Sequence, residues 1–491
     1  MQVKVCLNPL WLTSHHISKV TQDSHTNPAF GVYSVHKLTS ESPGNSRASN
    51  RESVPPAARR AAIAGFVGTF IEYYDYILFG VLAVYLGPLF FPSDNPAVSM
   101  LITLSVFGAG FIARPLGGVI FGRLGDRRGR RTALLATVAL MGLCSGLMGF
   151  LPTYSSIGVT ASVILVILRL LQGLSAGAEM LGSVTLVLES SPTSRRTLLA
   201  SLTPLGAGFG GGVALLMAAV VSLTVSKEAM LDYGWRIPFL ASIPLTIIAF
   251  ILRRRVEDSP EFVKLAADDR VSKSPIREAF LGNKRRMLVA CGIAIGINGV
   301  AGVNAWLGPY LISSRELPAS QIMLVLAISM LIIQPVAFIG GWLGDTYGRR
   351  IMITLPLIAF VVLCIPILWI LGATDAPIGL MGAVLVYLAL LSLMNPAAYT
   401  YMASIFPTEV RFTASNFCQN VGTVLAGGTA PAAVAALVLA TGTRYAAAYW
   451  ILSSCLIALL ALWLGRGLKD PDSSLKASPG IMPSVEKAKE L

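Results

Sequence analysis

The sequence predicts an all-α membrane protein of about twelve spanning helices, arranged as two pseudo-symmetric six-helix halves. Three observations predict it. Of 491 residues, 54% are hydrophobic and 13% charged, where a soluble domain carries about 25% charged residues; so few charges cannot cover a water-facing surface. The apolar residues gather in runs of about 20, the length that crosses a bilayer as a helix. Two polar signatures also recur at nearly one offset, as a duplicated half would produce: GRLGDRRGRR at 122–131 against GWLGDTYGRR at 341–350, and PTSRR at 192–196 against PTEVR at 407–411.

Taken in order, residues 1–58 are rich in Ser, Asn, His and Pro without sustained periodicity and read as a disordered tail. They lack the apolar core and small-residue cleavage site of a secretory signal. After Arg59 and Arg60 the apolar runs are 61–85, 98–122, 132–151, 157–188, 198–224, 237–252, 287–312, 320–343, 351–371, 378–403, 414–440 and 446–465. The sixth is short for a span and the fourth long enough to tilt or to leave the bilayer. The expected organisation is a first half at 59–252, a connecting loop at 253–286, a second half at 287–466 and a tail at 467–491.

Lys and Arg set the orientation. Arg123, Arg127, Arg128, Arg130 and Arg131 follow the second run, Arg195 and Arg196 the fourth, and a long basic stretch from Arg253 to Arg286 the sixth. The alternate loops near Asp94, Tyr154 and Asp375 have no basic residue, and the others hold few. Even-numbered loops and both termini are therefore expected in the cytoplasm, with the chain in the cell (inner or plasma) membrane. The formal charge of +13 sits in short runs between apolar stretches, which points to topology and a lipid bilayer, not to nucleic acid. Six scattered cysteines show no C-x-x-C or metal spacing. Without a nucleotide loop, metal cluster or nucleophile–base motif, the chain is not expected to be an enzyme or to need a cofactor.

The repeated G-x-x-x-D-x-x-G-R-R signature resembles the loop between the second and third helices of the major facilitator superfamily. Its glycines suit a tight turn and close packing, and Asp126 and Asp345 can accept hydrogen bonds from arginines or from a helix N-terminus. The resemblance implies a cytoplasmic gate that breaks and re-forms during alternating access, built from Gly122, Asp126, Arg127, Gly129, Arg130, Arg131, Asp345, Gly348, Arg349 and Arg350, with Arg196 and Arg411. A positive-inside anchor with a solvated carboxylate is the competing reading.

A narrower resemblance rests on GTFIEYYDYILFG at 68–80, Ala113-Arg114-Pro115, RLLQG at 169–173 with Gly177-Ala178-Glu179, GWRIPF at 234–239, EDSPEF at 257–262, FPTEVR at 406–411 and GGTAP at 427–431. Together these are similar to the metabolite:proton symporters of that superfamily, which include carriers for shikimate, α-ketoglutarate, citrate and proline/betaine. The chain departs from that pattern at Ser404, where members often carry Glu, and at Tyr73, where Trp or Phe is common. The resemblance implies secondary active, proton-coupled uptake of a small carboxylate or zwitterion by a monomer, with the small molecule and protons as its partners. A proton-coupled exporter of the same fold is the alternative, although Pro204-Leu-Gly-Ala-Gly-Phe-Gly-Gly-Gly lacks the Gly-Pro step of such exporters.

Ionisable residues inside a span cost several kcal/mol unless paired or watered, so they are the first functional candidates. The deep set is Glu72, Asp75, Arg114, Arg169 and Glu179, all in the first half. Glu72 and Asp75 are one turn apart, and two acids that close cannot easily both ionise in a low-dielectric site. Proton coupling is expected of Asp75, with Arg114 near it, and of Glu72 and Glu179. Gln172 and Glu179, seven apart, are expected to share a helix face about 60° from Arg169. Substrate contacts are expected from Arg114, Arg169, Gln172 and Tyr76, and from the second-half amides Asn298, Asn304 and Asn395. The competing reading is a fixed buried ion-pair network that orients helices.

Overall fold

The computed structural model describes residues 53–314, 319–373 and 376–468. Most of the expected tails at 1–58 and 467–491, and the loop residues Arg315 and Asp375, lie outside the described residues, and residues 56–58, expected in the first tail, are helix. Among the described residues, twelve helices are long and apolar enough to cross a membrane: α1 Pro56–Phe90, α2 Val98–Arg128, α3 Arg130–Phe150, α4 Val159–Ser190, α5 Thr193–Thr224, α6 Met230–Arg254, α7 Lys284–Leu311, α8 Leu324–Tyr347, α9 Arg349–Ala373, α10 Ile378–Ser404, α11 Arg411–Thr441 and α12 Arg444–Leu464.

The helices overrun the apolar runs at the basic end. Pro56 starts α1 inside the first turn, where its missing N–H costs nothing. The expected tight turn at 122–131 is instead helix as far as Arg128, because Arg123, Arg127 and Arg128 reach water without breaking the backbone ladder, while Asp126 turns inward onto α11. Only Gly129, at φ 97°, makes the turn, and Gly348, also at φ 97°, makes its counterpart. The sixth span, short as an apolar run, gains length from a π-type turn over Met230–Gly234.

Several spans are interrupted. α4 breaks between Ala176 and Glu179. α8 breaks after Ile332, before Pro335, which has no N–H for the ladder. α11 carries a π-type turn over Thr423–Gly427, a feature common at functional positions. The break in α4 corrects the expectation that Gln172 and Glu179 share one helix face.

Packing joins the two sets of six helices along two seams, α2 against α11 and α5 against α8, with the end of α4 wedged against α10 and α11. The glycines of α5 serve two neighbours. A Cβ at Gly206 or Gly210 would strike the α1 carbonyls of Phe66 and Phe70, and one at Gly208 would strike Gln334 of α8. Leu143, Phe150, Ile112, Leu223, Val362, Trp369, Leu439 and Leu460 remain exposed around the bundle, an apolar belt suited to lipid.

Candidate functional site

Helix α1 carries the centre of the site. Glu72 and Asp75, both buried, point to different partners. Glu72 lies 3.3 Å from Arg114 of α2, and neither carboxylate oxygen of Glu72 has a hydrogen bond. The Arg114 guanidinium sits 5.2 Å from the ring centres of both Tyr76 and Phe111. Asp75 accepts a short hydrogen bond from Ser145 of α3. Ser145 Oγ in turn accepts from Gln172 Nε2 at 2.6 Å, and Gln172 Oε1 accepts from Arg169 Nη1 at 3.0 Å. Arg169 is the cation electrostatically coupled to Asp75, and it rests 4.5 Å from the Phe79 ring centre and 5.4 Å from that of Tyr76. Arg114 was expected beside Asp75; it pairs with Glu72 instead, because the two acids, three residues apart, are splayed by the helical step toward α2 and α3. The two arms face one small cavity lined by Glu72, Tyr76, Arg114, Arg169 and Gln172, with a volume of about 10 Å³ for water-sized centres.

Glu179 belongs to a separate cluster. It pairs closely with Arg253 of α6 and accepts from Thr137 Oγ1 at 2.9 Å and Ser183 Oγ at 3.2 Å. A side chain at Gly68 would collide with this pair, so glycine there lets both charges reach α1. In the second half, Asn298 and Gln419 exchange long side-chain hydrogen bonds of 3.3 and 3.4 Å, and Thr423 donates to Asn298 at 3.2 Å; Asn298 thus ties α7 to α11. Asn304 and Asn395 are half-buried, and the structure does not bring them to the α1 acids by any hydrogen bond among the described residues.

The basic end is shut by contacts between the halves. Asp126, at the end of α2, accepts from the first amides of α11, Phe412 N at 3.2 Å and Thr413 N at 2.8 Å. Asp345, at the end of α8, accepts from Thr197 N at 2.9 Å and Leu198 N at 2.8 Å in the first turns of α5. Both carboxylates exploit unpaired N–H groups and the positive end of a helix. Gly122 is where it must be, since a Cβ there would lie 2.7 Å from Thr413 Cα. Arg349 donates to Thr197 Oγ1 at 3.0 Å.

Behind Asp126 lies an ionic knot. Glu189, buried at the end of α4, accepts from Arg130 at 3.0 and 3.2 Å and from Arg411 at 3.0 Å. Arg130 also donates to Thr408 O at 2.7 Å. A short linker helix, Pro260–Ala267, follows α6 and threads this knot. Its Ser259 bonds Glu189, and its Glu261 pairs with Arg196 at 2.9 Å and Arg411 at 2.6 Å. Asp258 accepts from Arg130 N at 2.8 Å and caps α3; burial lifts its carboxyl above the usual aspartate range despite these donors.

Residues 65–431 match the pattern of the Major Facilitator Superfamily. The chain is 32% identical to the proline/betaine transporter of Salmonella typhimurium over 88% of each chain, and 32% identical to the shikimate transporter of Escherichia coli over 83% of this chain and 94% of that one. Its fold superposes on the solved proton:xylose symporter XylE with a TM-score of 0.69 at 15% identity, over 83% of this chain and 95% of XylE. The chain belongs to the major facilitator superfamily. As a facilitator it is a multi-pass membrane transporter of a small molecule and not an enzyme.

Among the residues singled out from the facilitator signature, several sit apart from the contacts between halves. Arg127 is exposed. Arg131 donates to Arg254 O at 2.7 Å and Arg350 to Leu462 O at 2.6 Å, each fastening helices of its own half. Gly348 is exposed and serves the turn alone. Sequence reasoning missed Ser145, Glu189, Arg253, Asp258 and Glu261. Glu189 had a readable signal, an acid closing a long apolar run just ahead of the repeated PTSRR segment, and Asp258 and Glu261 lie in the EDSPEF segment at 257–262, but only packing says what they, Ser145 and Arg253 meet.

Proposed function

We propose that this facilitator is a proton-coupled symporter that takes up a small carboxylate or zwitterion, with Asp75 and Glu72 as the proton-bearing acids and Arg114 and Arg169 as the cations they release to substrate. The observation that carries the reading is the two-armed cluster on α1: each acid holds an arginine, one directly and one through Ser145 and Gln172, beside one cavity. Protonating either acid weakens its hold on its arginine and frees a cation for an anionic group. That the similar proteins named above carry proline/betaine and shikimate supports a substrate of that chemistry.

In this reading the basic end faces the cytoplasm of the cell membrane. Residues 59–252 and 287–466 rock as two bodies within one monomer, joined by 253–286, and the contacts of Asp126, Asp345, Glu189 and Glu261 are the cytoplasmic gate. Uptake of labelled proline, betaine and shikimate into proteoliposomes, with and without an inward pH gradient, tests it. Accumulation should need the gradient. Asp75→Asn, which mimics the protonated acid, should abolish accumulation and retain solute exchange. A folded Asp75→Asn protein that still concentrates solute removes Asp75 from the mechanism, and a gradient that drives solute outward identifies an exporter.

A further inference from the structure

Glu72 stands between two cavities. The first is the one it shares with Arg114 and Arg169. The second, lined by Gly68, Thr137, Ser175 and Glu179, lies one step along α1 and α4 toward the basic end and also has a volume of about 10 Å³ for water-sized centres, room for roughly one water. Two residues, Glu72 and Met141, line both. Glu72 is 1% exposed and both its carboxylate oxygens lack a hydrogen bond, so a water in the second cavity would meet an unsatisfied acceptor on one side and the Thr137–Glu179 pair on the other. Beyond Glu179 comes Arg253, and immediately after it Arg254 and Arg255 are exposed at the end of α6.

We infer that the second cavity is a proton path separate from the substrate cavity: the proton leaves Glu72 through one water to Glu179 and passes out beside Arg253, with the Met141 side chain as the plug between the two cavities. The inference rests on the proton coupling proposed above. In the step, the O–H bond of protonated Glu72 breaks, the bridging water accepts that proton and gives up another, and an O–H bond forms on Glu179. Glu72 is left as a carboxylate facing Arg114, and Glu179, now neutral, loosens from Arg253. Loss of the proton from Glu179 to water at the basic end restores the pair. The charged and titratable groups facing these two acids are Arg114 from α2, Arg253 from α6 and Tyr399 from α10, with Tyr73 next to Glu72 on α1. Asp75 does not feed this path, since it lines neither cavity and its chain of bonds through Ser145 and Gln172 runs to Arg169, away from Glu179.

The test needs no substrate. Purified protein in liposomes holding a pH-sensitive dye is given a potassium diffusion potential, and proton flux is read from the dye. Met141→Ala should raise the passive flux roughly tenfold over wild type, and adding Glu179→Gln, which keeps an acceptor for Arg253 and Thr137, should return it to the wild-type level. Leu143→Ala, on the lipid-facing side of the same helix, should leave the flux unchanged. Met141→Val replaces Met141→Ala if the latter elutes aggregated. A Met141 variant no leakier than wild type, or a leak that persists with Glu179→Gln, overturns the path. The symport reading is tested separately by gradient-driven uptake in the wild type, so either can fail while the other stands.

Discussion

The first six helices and the last six share a fold and a repeated signature, yet they are held together by different chemistry. In the first six, carboxylates and guanidinium groups lie deep among the helices: Glu72 with Arg114, Asp75 bridged to Arg169, Glu179 with Arg253. In the last six, the polar groups at similar depth among the described residues are amides and hydroxyls, such as Asn298, Gln419 and Thr423. An amide changes no charge at any physiological pH, whereas a carboxyl group can take up or release a proton. On the symport reading proposed above, the contrast means that one half would sense the proton and the other would follow, through contacts that cross the seam.

Breaking the charged side of this contrast should have the largest effect. Glu189→Ala removes the acid shared by Arg130 and Arg411, leaving Arg130 to Asp126 and Arg411 to Glu261, and breaking a buried ion pair costs about 3–5 kcal/mol. Thermal unfolding in detergent should show a large fall in melting temperature, and a near-wild-type melt would mean that the knot adds no stability. The two duplicated aspartates sharpen the comparison at an intermediate scale. Asp126 is fully buried and faces Arg130 at 3.4 Å as well as two amides, while Asp345 is half-buried. Asp126→Ala should therefore cost about 1.5–3 kcal/mol and Asp345→Ala about 1 kcal/mol, both read from the same melts; the reverse order would break the argument from burial. The smallest effect is expected in the amide half. Asn298→Ala removes long bonds between helices and one to Ala294 O in its own helix, side-chain bonds worth about 0.6 kcal/mol each in a membrane helix bundle, and should lower the melting temperature only slightly while gradient-driven uptake keeps its dependence on pH.

Much of this molecule is legible without coordinates. Twelve apolar runs become twelve spans because a bilayer leaves a backbone few alternatives to the helix. Where the reading slipped, the cause was local. Helices continued past the apolar windows, because a charged residue at a helix end reaches water and does not break the ladder; that is why 122–128 is helix and Gly129 alone turns. Arg127, Arg131 and Arg350 carry the same charge as Arg130 and Arg349, and nothing in their type tells which of them point across the seam.

The sequence by itself determined the fold class, the span count, the list of buried ionisable residues and the family resemblance, because composition and run length act residue by residue along the chain. Tertiary structure alone decided the partners. Glu72 and Asp75 are a single turn apart in sequence, yet one meets Arg114 and the other Ser145, because α2 and α3 pack on different sides of α1. Glu189, Arg253 and Glu261 gained their places the same way, from helices that approach only when the bundle closes. A charge is a property of one residue, but its partner is a property of the packing.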